Sequence, residues 1–586
     1  MSIPRLEPTM PSFGSGAESM ETALISRLAK ELFSGAAGEA NVPSAPVSVP
    51  RTVAGAPTEL PGNPVESPAS PGGGRDIALS GGFPNASAAS SPPVHPTVVA
   101  AEPEPAPKNG QPPSGAHRPG DTRTHEFGEP SFYTQGLGPR VETPAASLPG
   151  VSPEPQFYFL KDLPATNAYH SFGTQPSPFE ALPGFNVDGV RKDFPALQQH
   201  VNGKTLIWLD NAATTHKPQS VIDATSRFYS RDNSNIHRAA HTLAARSTEL
   251  FEGGREKVRQ FLGAGDAKEI VFVRGTTEAI NLVAQSWGRE NIGQGDEILL
   301  SQLEHHANIV PWQILAGQVG ATLRVIPIND RGELLIEELP KLLTDRTKIV
   351  SVTQVSNALG TVNPVEEIIA MAHARGIPVL VDGAQSTPHL PINVQAMDAD
   401  FFVFSGHKVF APTGIGALYG KLPLLEAMPP WQGGGHMIKD VTFERTVFNA
   451  PPEKFEAGTP DIAGVVGLGA AIDYMMGLGI PALAAYEHSL LEYAEEALRS
   501  VHGVRPIGTA GQKASVFGFV IPGIPNDRIA RYLDQQGIAV RAGHHCAMPA
   551  VRHFGVEGTV RPSLAFYNNR ADVDALIAAL HQIARR

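Results

Sequence analysis

At 586 residues the chain is long enough for more than one domain, and 41% hydrophobic with 18% charged residues is the balance of a water-soluble protein. No stretch approaches the roughly 18 consecutive apolar residues of a membrane helix, and a net charge of −12 argues against a nucleic-acid partner. A single cysteine excludes an intrachain disulfide and a cysteine-based metal cluster.

The opening MSIPRLEPTM lacks a charged stretch followed by an apolar core, so a cytoplasmic location is expected. Of the 53 prolines, 30 fall in the first 180 residues. Tracts such as Val42–Pro50 and Ala101–Pro107 mix proline with small residues and have no apolar period. Such a chain buries too little apolar surface to offset its ordering entropy, so residues 1–182 are expected to be disordered. Apolar islands interrupt them: Met20, Leu24, Leu28 and Leu32 at helical spacing, then Phe132–Tyr133, Phe157–Leu160, and Tyr169 with Phe172. Islands of this kind suit docking to another protein, or packing back on the rest of the chain.

From Leu182 onward short apolar runs alternate with longer helical stretches: Ile270–Val273, Glu297–Leu300, Thr322–Ile326, Lys348–Thr353, Pro378–Val381 and Phe401–Phe404. Buried parallel strands joined by helices read this way, so an α/β fold is expected. A large domain over 183–475 and a smaller C-terminal domain over 476–586 follow, the first segment of the large domain packing with the small one.

Chemistry-bearing residues gather after these runs. Arg274-Gly-Thr276-Thr277-Glu278 follows a strand and opens a helix, an arrangement that suits a phosphate dianion as well as plain capping. Glu304-His305-His306-Ala-Asn308 offers an imidazole that can stack on a ring or move protons. Adjacent histidines rarely both bind metal, and no metal site is expected. Asp382, closing a buried strand, is either a helix cap or a carboxylate that keeps a pyridine nitrogen protonated, and Gln385 follows three residues on as a donor to a ring hydroxyl. Lys408, just after Phe401–Ser405, is a surface lysine or the Schiff-base lysine that pyridoxal phosphate requires. The lone Cys546 sits in Arg541-Ala-Gly-His-His-Cys-Ala-Met-Pro, a loop whose histidines and arginine favour a thiolate. Arg561 has the planar fork that captures an amino-acid carboxylate, or forms an ordinary salt bridge.

Phosphate loop, stacking histidine, Asp with Gln, and lysine occur in an order that resembles fold-type I pyridoxal-phosphate enzymes of the class V aminotransferase family. The Arg541–Pro549 loop, Leu209-Asp-Asn-Ala-Ala-Thr-Thr, Asn235-Ile-His-Arg, Glu304–Trp312 and Asn357-Ala-Leu-Gly resemble the Suf-type (group II) cysteine desulfurases, over about residue 183 to the end. The resemblance implies a mainly parallel seven-stranded sheet in the large domain, and a homodimer. It implies Lys408 as the cofactor lysine and proton carrier, Asp382 and Gln385 on the ring, and His305 stacked upon it. Thr276, Thr277, Ser405 and His407 would hold the phosphate, with Thr459 from a second subunit. Asn357, Arg561, His237 and Arg541 would form the substrate-binding set. Cys546 would take sulfur from L-cysteine as a persulfide, releasing alanine and passing the sulfur to an acceptor protein or small thiol. The extension resembles that of cysteine desulfurases carried as cargo in family 2 encapsulin nanocompartments, which implies a shell-protein partner bound through residues 1–182 and a place inside that shell. Selenocysteine lyase, or a Suf-type enzyme serving iron–sulfur assembly without a shell, is the alternative. A scaffold with a vestigial enzyme would have lost Lys408, Asp382 or Cys546, and all three are present.

Overall fold

The computed structural model describes residues 185–585 except residue 239. The disordered extension expected over 1–182, with its apolar islands, lies outside the described residues.

Seven strands form the central sheet: β1 (Ile270–Val273), β2 (Glu297–Ser301), β3 (Thr322–Ile326), β4 (Thr347–Thr353), β5 (Val379–Asp382), β6 (Phe401–Ser405) and β7 (Gly416–Gly420). Their order is β1-β7-β6-β5-β4-β2-β3. Every neighbouring pair is parallel except those of β7, which runs antiparallel to both β1 and β6. Every residue of β1, β5, β6 and β7 is buried, as expected of strands covered on both faces. Each of the six apolar runs falls on one of these strands, with ends shifted by a residue at most.

The seventh strand, Gly-Ala-Leu-Tyr-Gly, has no run of β-branched residues to announce it. Its glycine is required by a close approach: a Cβ at Gly416 would lie 2.7 Å from Gly275 Cα and 2.5 Å from Phe404 O. The missing side chain lets the turn after β1 settle on the sheet.

Helix α1 (Thr242–Leu262) packs against α3 (Ile462–Leu478), an apolar helix with most of its residues buried. Between them in sequence, α2 (Thr276–Val283) follows β1 directly. Among the described residues no single helix is long and apolar enough to cross a membrane. Helices α3 and α4 (Ile480–Arg499) reach the length together but bend by 76° at their junction.

Past that junction, at Gly479, the chain begins to build a second apolar cluster, while Leu483 of α4 still belongs to the first. Helix α3 contributes Val465, Leu468 and Ile472 to the cluster under the large sheet. Helix α4 contributes Leu490, Leu491 and Leu498 to a second cluster, with α5 (Asn526–Gln535) and α6 (Arg570–Ala584). These helices cover a four-stranded antiparallel sheet of β8 (Arg505–Ile507), β9 (Gly518–Val520), β10 (Arg541–Gly543) and β11 (Thr559–Arg561), in the order β8-β9-β11-β10. The early segment Ile207–Trp208 pairs in parallel with Ile538–Ala539, and Leu209 joins the same cluster.

Candidate active site

Parallel strands deliver their C-terminal ends to one edge of the sheet, the usual place for a ligand in an α/β fold. Here β1 leads to Thr276 and Thr277, β2 to Glu304 and His305, β4 to Asn357, β5 to Asp382 and Gln385, and β6 to Ser405, His407 and Lys408. From the small sheet come Arg541, Cys546 and Arg561. All of these residues except Glu304 line a single cavity.

Gly275, with φ of +151°, turns the chain from β1 into α2. The backbone N–H of Thr276 then donates to Ser405 Oγ at 2.9 Å, and the two hydroxyls are also 2.9 Å apart. A helix N-terminus flanked by hydroxyls favours an anion.

Desolvation is the main influence on the titrating groups. It lowers the Lys408 amine to about 8, while the Asp382 carboxylate pulls the other way. It raises the Asp382 carboxyl against the opposing N–H of Ala384, which donates to Oδ1 at 2.9 Å, and against the charge of Lys408. It lowers His305 to about 3, with the charge of Lys408 adding to the effect. His305 is therefore neutral near pH 7. Its Nδ1 accepts the N–H of Ala307 at 3.0 Å, which puts the ring proton on Nε2.

The cysteine loop joins β10 to β11. His545 and Cys546 are consecutive non-glycine residues in the left-handed region, at φ of +54° and +55°. Each costs roughly 1–2 kcal/mol in that conformation. Hydrogen bonds hold the loop there: His306 N to Cys546 O at 2.7 Å, Asn357 Nδ2 to His545 O at 2.6 Å, and His545 Nε2 with Thr559 Oγ1 at 2.8 Å. Cys546 is left exposed on the cavity rim.

Two expected site residues lie elsewhere. His237 bonds to Glu252 at 2.9 Å and stacks on His436, with ring centroids 4.8 Å apart. Thr459 lines a separate cavity with Phe272, Glu278 and Glu456. Neither lines the cavity at the strand ends, and Thr459 was expected to act on a second subunit. Gln385 lines the cavity. Its Nε2 donates to Ala212 O at 2.6 Å, so its unpartnered atom is the acceptor Oε1. Sequence reasoning assigned no part to Thr353 and Val355, which line the cavity, or to Asp210 and Glu304, which do not. The quoted motifs Leu209–Thr215 and Glu304–Trp312 contain the last two, and the strand-end position of Thr353 was the available signal.

A family model described as Aminotransferase class-V matches residues 207–576. The cysteine desulfurase of Synechococcus elongatus is 52% identical over 511 residues, covering 87% of this chain and 79% of that protein. The chain belongs to the cysteine desulfurases of the class-V aminotransferase family. A probable cysteine desulfurase of Mycobacterium leprae is 57% identical over 405 residues, or 69% of this chain and 66% of that one. Among solved structures, the Escherichia coli cysteine desulfurase CsdA aligns with a TM-score of 0.64 at 44% identity, covering 68% of this chain and 98% of its own.

Cysteine desulfurases of this family depend on pyridoxal phosphate, and the cavity's residues fit it. The N–H and hydroxyl of Thr276 with Ser405 offer a phosphate cradle, Asp382 a buried acid, and Lys408 an amine that burial has brought down from its ordinary value to about 8. Gln385 Oε1, Asn357 Oδ1 and Arg561 Nε are buried without partners, as polar atoms awaiting a polar ligand are.

Proposed function

We propose that the enzyme converts L-cysteine to L-alanine and keeps the sulfur as a persulfide on Cys546. The observation that carries this reading is one cavity holding Lys408, Arg561 and Cys546 together. Pyridoxal phosphate supplies an electron sink for the amino acid's Cα. Lys408, with Asp382 and Gln385, His305, Thr276, Thr277, Ser405 and His407, holds it, and Lys408 carries the Cα proton. Arg561 and Asn357 take the substrate carboxylate, with Arg541 at the rim. Cys546 Sγ, as thiolate, forms a bond to the substrate sulfur as the substrate C–S bond breaks. The carbon skeleton gains a proton in place of sulfur and leaves as alanine, so the atoms of cysteine and thiol are conserved in alanine and persulfide.

The reading extends to a Suf-type homodimer in which Thr459 of one subunit, lying outside its own cavity, helps to hold the phosphate of the neighbouring site. Residues 1–182 load the enzyme, a cytoplasmic protein, into an encapsulin shell. In support, the alignment with the Synechococcus protein runs over 511 residues against 405 for the Mycobacterium leprae one, so it reaches well into the extension. Deleting residues 1–182 abolishes co-purification with a co-expressed shell protein; unchanged co-purification would remove the cargo role. The chemistry is tested by alanine and sulfide release from L-cysteine with a reductant, for wild type and Cys546→Ala. Loss of release in the variant, with cofactor absorbance kept, is expected. Equal rates would dismiss Cys546 as acceptor and favour a lyase acting on selenocysteine.

A further inference from the structure

Arg541 and Arg561 are direct cross-strand partners in β10 and β11. Like charges in that register repel. A single carboxylate lies against both. Asp210 Oδ2 accepts from Nε of Arg541 at 3.1 Å and lies 3.1 Å from its Nη2 as an ion pair, and Oδ1 accepts from Nη2 of Arg561 at 3.1 Å.

The two arginines are not equivalent. The Arg561 side chain is 2% exposed and that of Arg541 is 51% exposed. Arg561 is fixed from two sides, because its Nη1 donates to Asn357 O at 2.9 Å while Asp210 takes Nη2. Its Nε is buried with no partner. Asp210 is itself anchored, bridging in parallel to Ser563 two residues beyond Arg561. It does not line the cavity. Its charge nevertheless opposes the desolvation that draws Arg561 down to about 10.

We propose that Asp210 is a positioning residue that sets the Arg561 guanidinium for an amino-acid carboxylate and neutralises the repulsion from Arg541. This rests on the reading of Arg561 as the carboxylate-binding group. A carboxylate between two arginines can satisfy both. An asparagine amide can accept from one and presents N–H to the other, so one guanidinium loses its hold.

The experiment titrates the cofactor absorbance of the holoenzyme with L-alanine and with ethylamine, which lacks the carboxylate. Wild type is expected to prefer alanine. In Asp210→Asn that preference falls about tenfold, the effect of roughly one misplaced charged hydrogen bond, while ethylamine affinity holds. Asp210→Glu keeps the charge but displaces it by one methylene, and is expected to fall between the two. It also serves as the test if the asparagine variant does not fold. A preserved preference in the variants, or equal weakening of both amines, overturns the role of Asp210 and leaves Arg561 untouched. Absence of any preference in wild type overturns the carboxylate reading of Arg561 and this inference with it. Neither result bears on whether Cys546 accepts sulfur, which alanine and sulfide release decides.

Discussion

Glu304 and Thr353 join two strand ends: the Thr353 N–H donates to Glu304 Oε1 at 3.0 Å, tying the turn after β2 to the last residue of β4. Asn308 Nδ2 donates to the other oxygen at 2.7 Å, and Ser301 completes a buried network. Burial, opposed by these hydrogen bonds, pushes the carboxyl up to about 8. Glu304 then binds its proton more tightly folded than unfolded, where its value is 4.5. The resulting stability is full below pH 4.5 and drains away as pH rises to about 8. Glu304→Gln should flatten that decline, whose slope is at most about 1.4 kcal/mol per pH unit. Denaturant unfolding at pH 5, 6.5 and 8 measures it; parallel curves for variant and wild type would contradict a protonated Glu304.

The Lys408 amine, held at about 8 by desolvation, should govern cofactor capture. Only the free base reacts with an aldehyde, so uptake of pyridoxal phosphate by apoprotein should accelerate towards pH 8 and level off above it. Asp382→Asn removes the charge that supports the ammonium, and should move the midpoint to lower pH. Stopped-flow absorbance across pH 6–10 reads both. A midpoint that stays put in the variant would disconnect the two residues.

Thr559 supplies the partner of the buried His545 ring. Thr559→Val keeps the shape and deletes the hydroxyl, leaving the ring nitrogen without its partner at a cost of about 1–3 kcal/mol. Thermal unfolding should show a lowered Tm. The exposed Cys546 should also alkylate at a changed rate as its loop loosens, and no change in either quantity would mean that the bond does not hold the loop.

Gly416→Ala should disturb the phosphate cradle from behind. The added methyl meets Gly275 Cα and Phe404 O well inside normal contact, and overpacking of this kind costs about 1–3 kcal/mol. Faster loss of cofactor on dialysis against phosphate buffer is expected. Retention equal to wild type would show that the turn at Gly275 can give way freely.

The sheet was largely legible because strands buried on both faces must be apolar throughout, and Ile270–Val273 or Phe401–Phe404 have few other uses. Gly416–Gly420 escaped because its composition answers to the approach of Gly275 and not to strand propensity. Lys408, Asp382, His305 and Thr276 could be picked out by lying just past such runs. Asp210 could not. Its partners Arg541 and Arg561 stand 331 and 351 residues along the chain, and no local spacing encodes a contact over that distance. Gln385 shows a different limit: its presence was readable, but which of its amide atoms stayed unpartnered depended on Ala212 O.

The cysteine loop grows out of β10 and returns through β11, and the two arginines lie on those same strands. Cys546, Arg541 and Arg561 are thus mounted on one small sheet, apart from the strands that carry Lys408 and Asp382. The same loop is also tied to the turns after β2 and β4, because His306 N and Asn357 Nδ2 donate to the carbonyls of Cys546 and His545, so a shift of one sheet against the other would have to break these bonds before it moved the thiol.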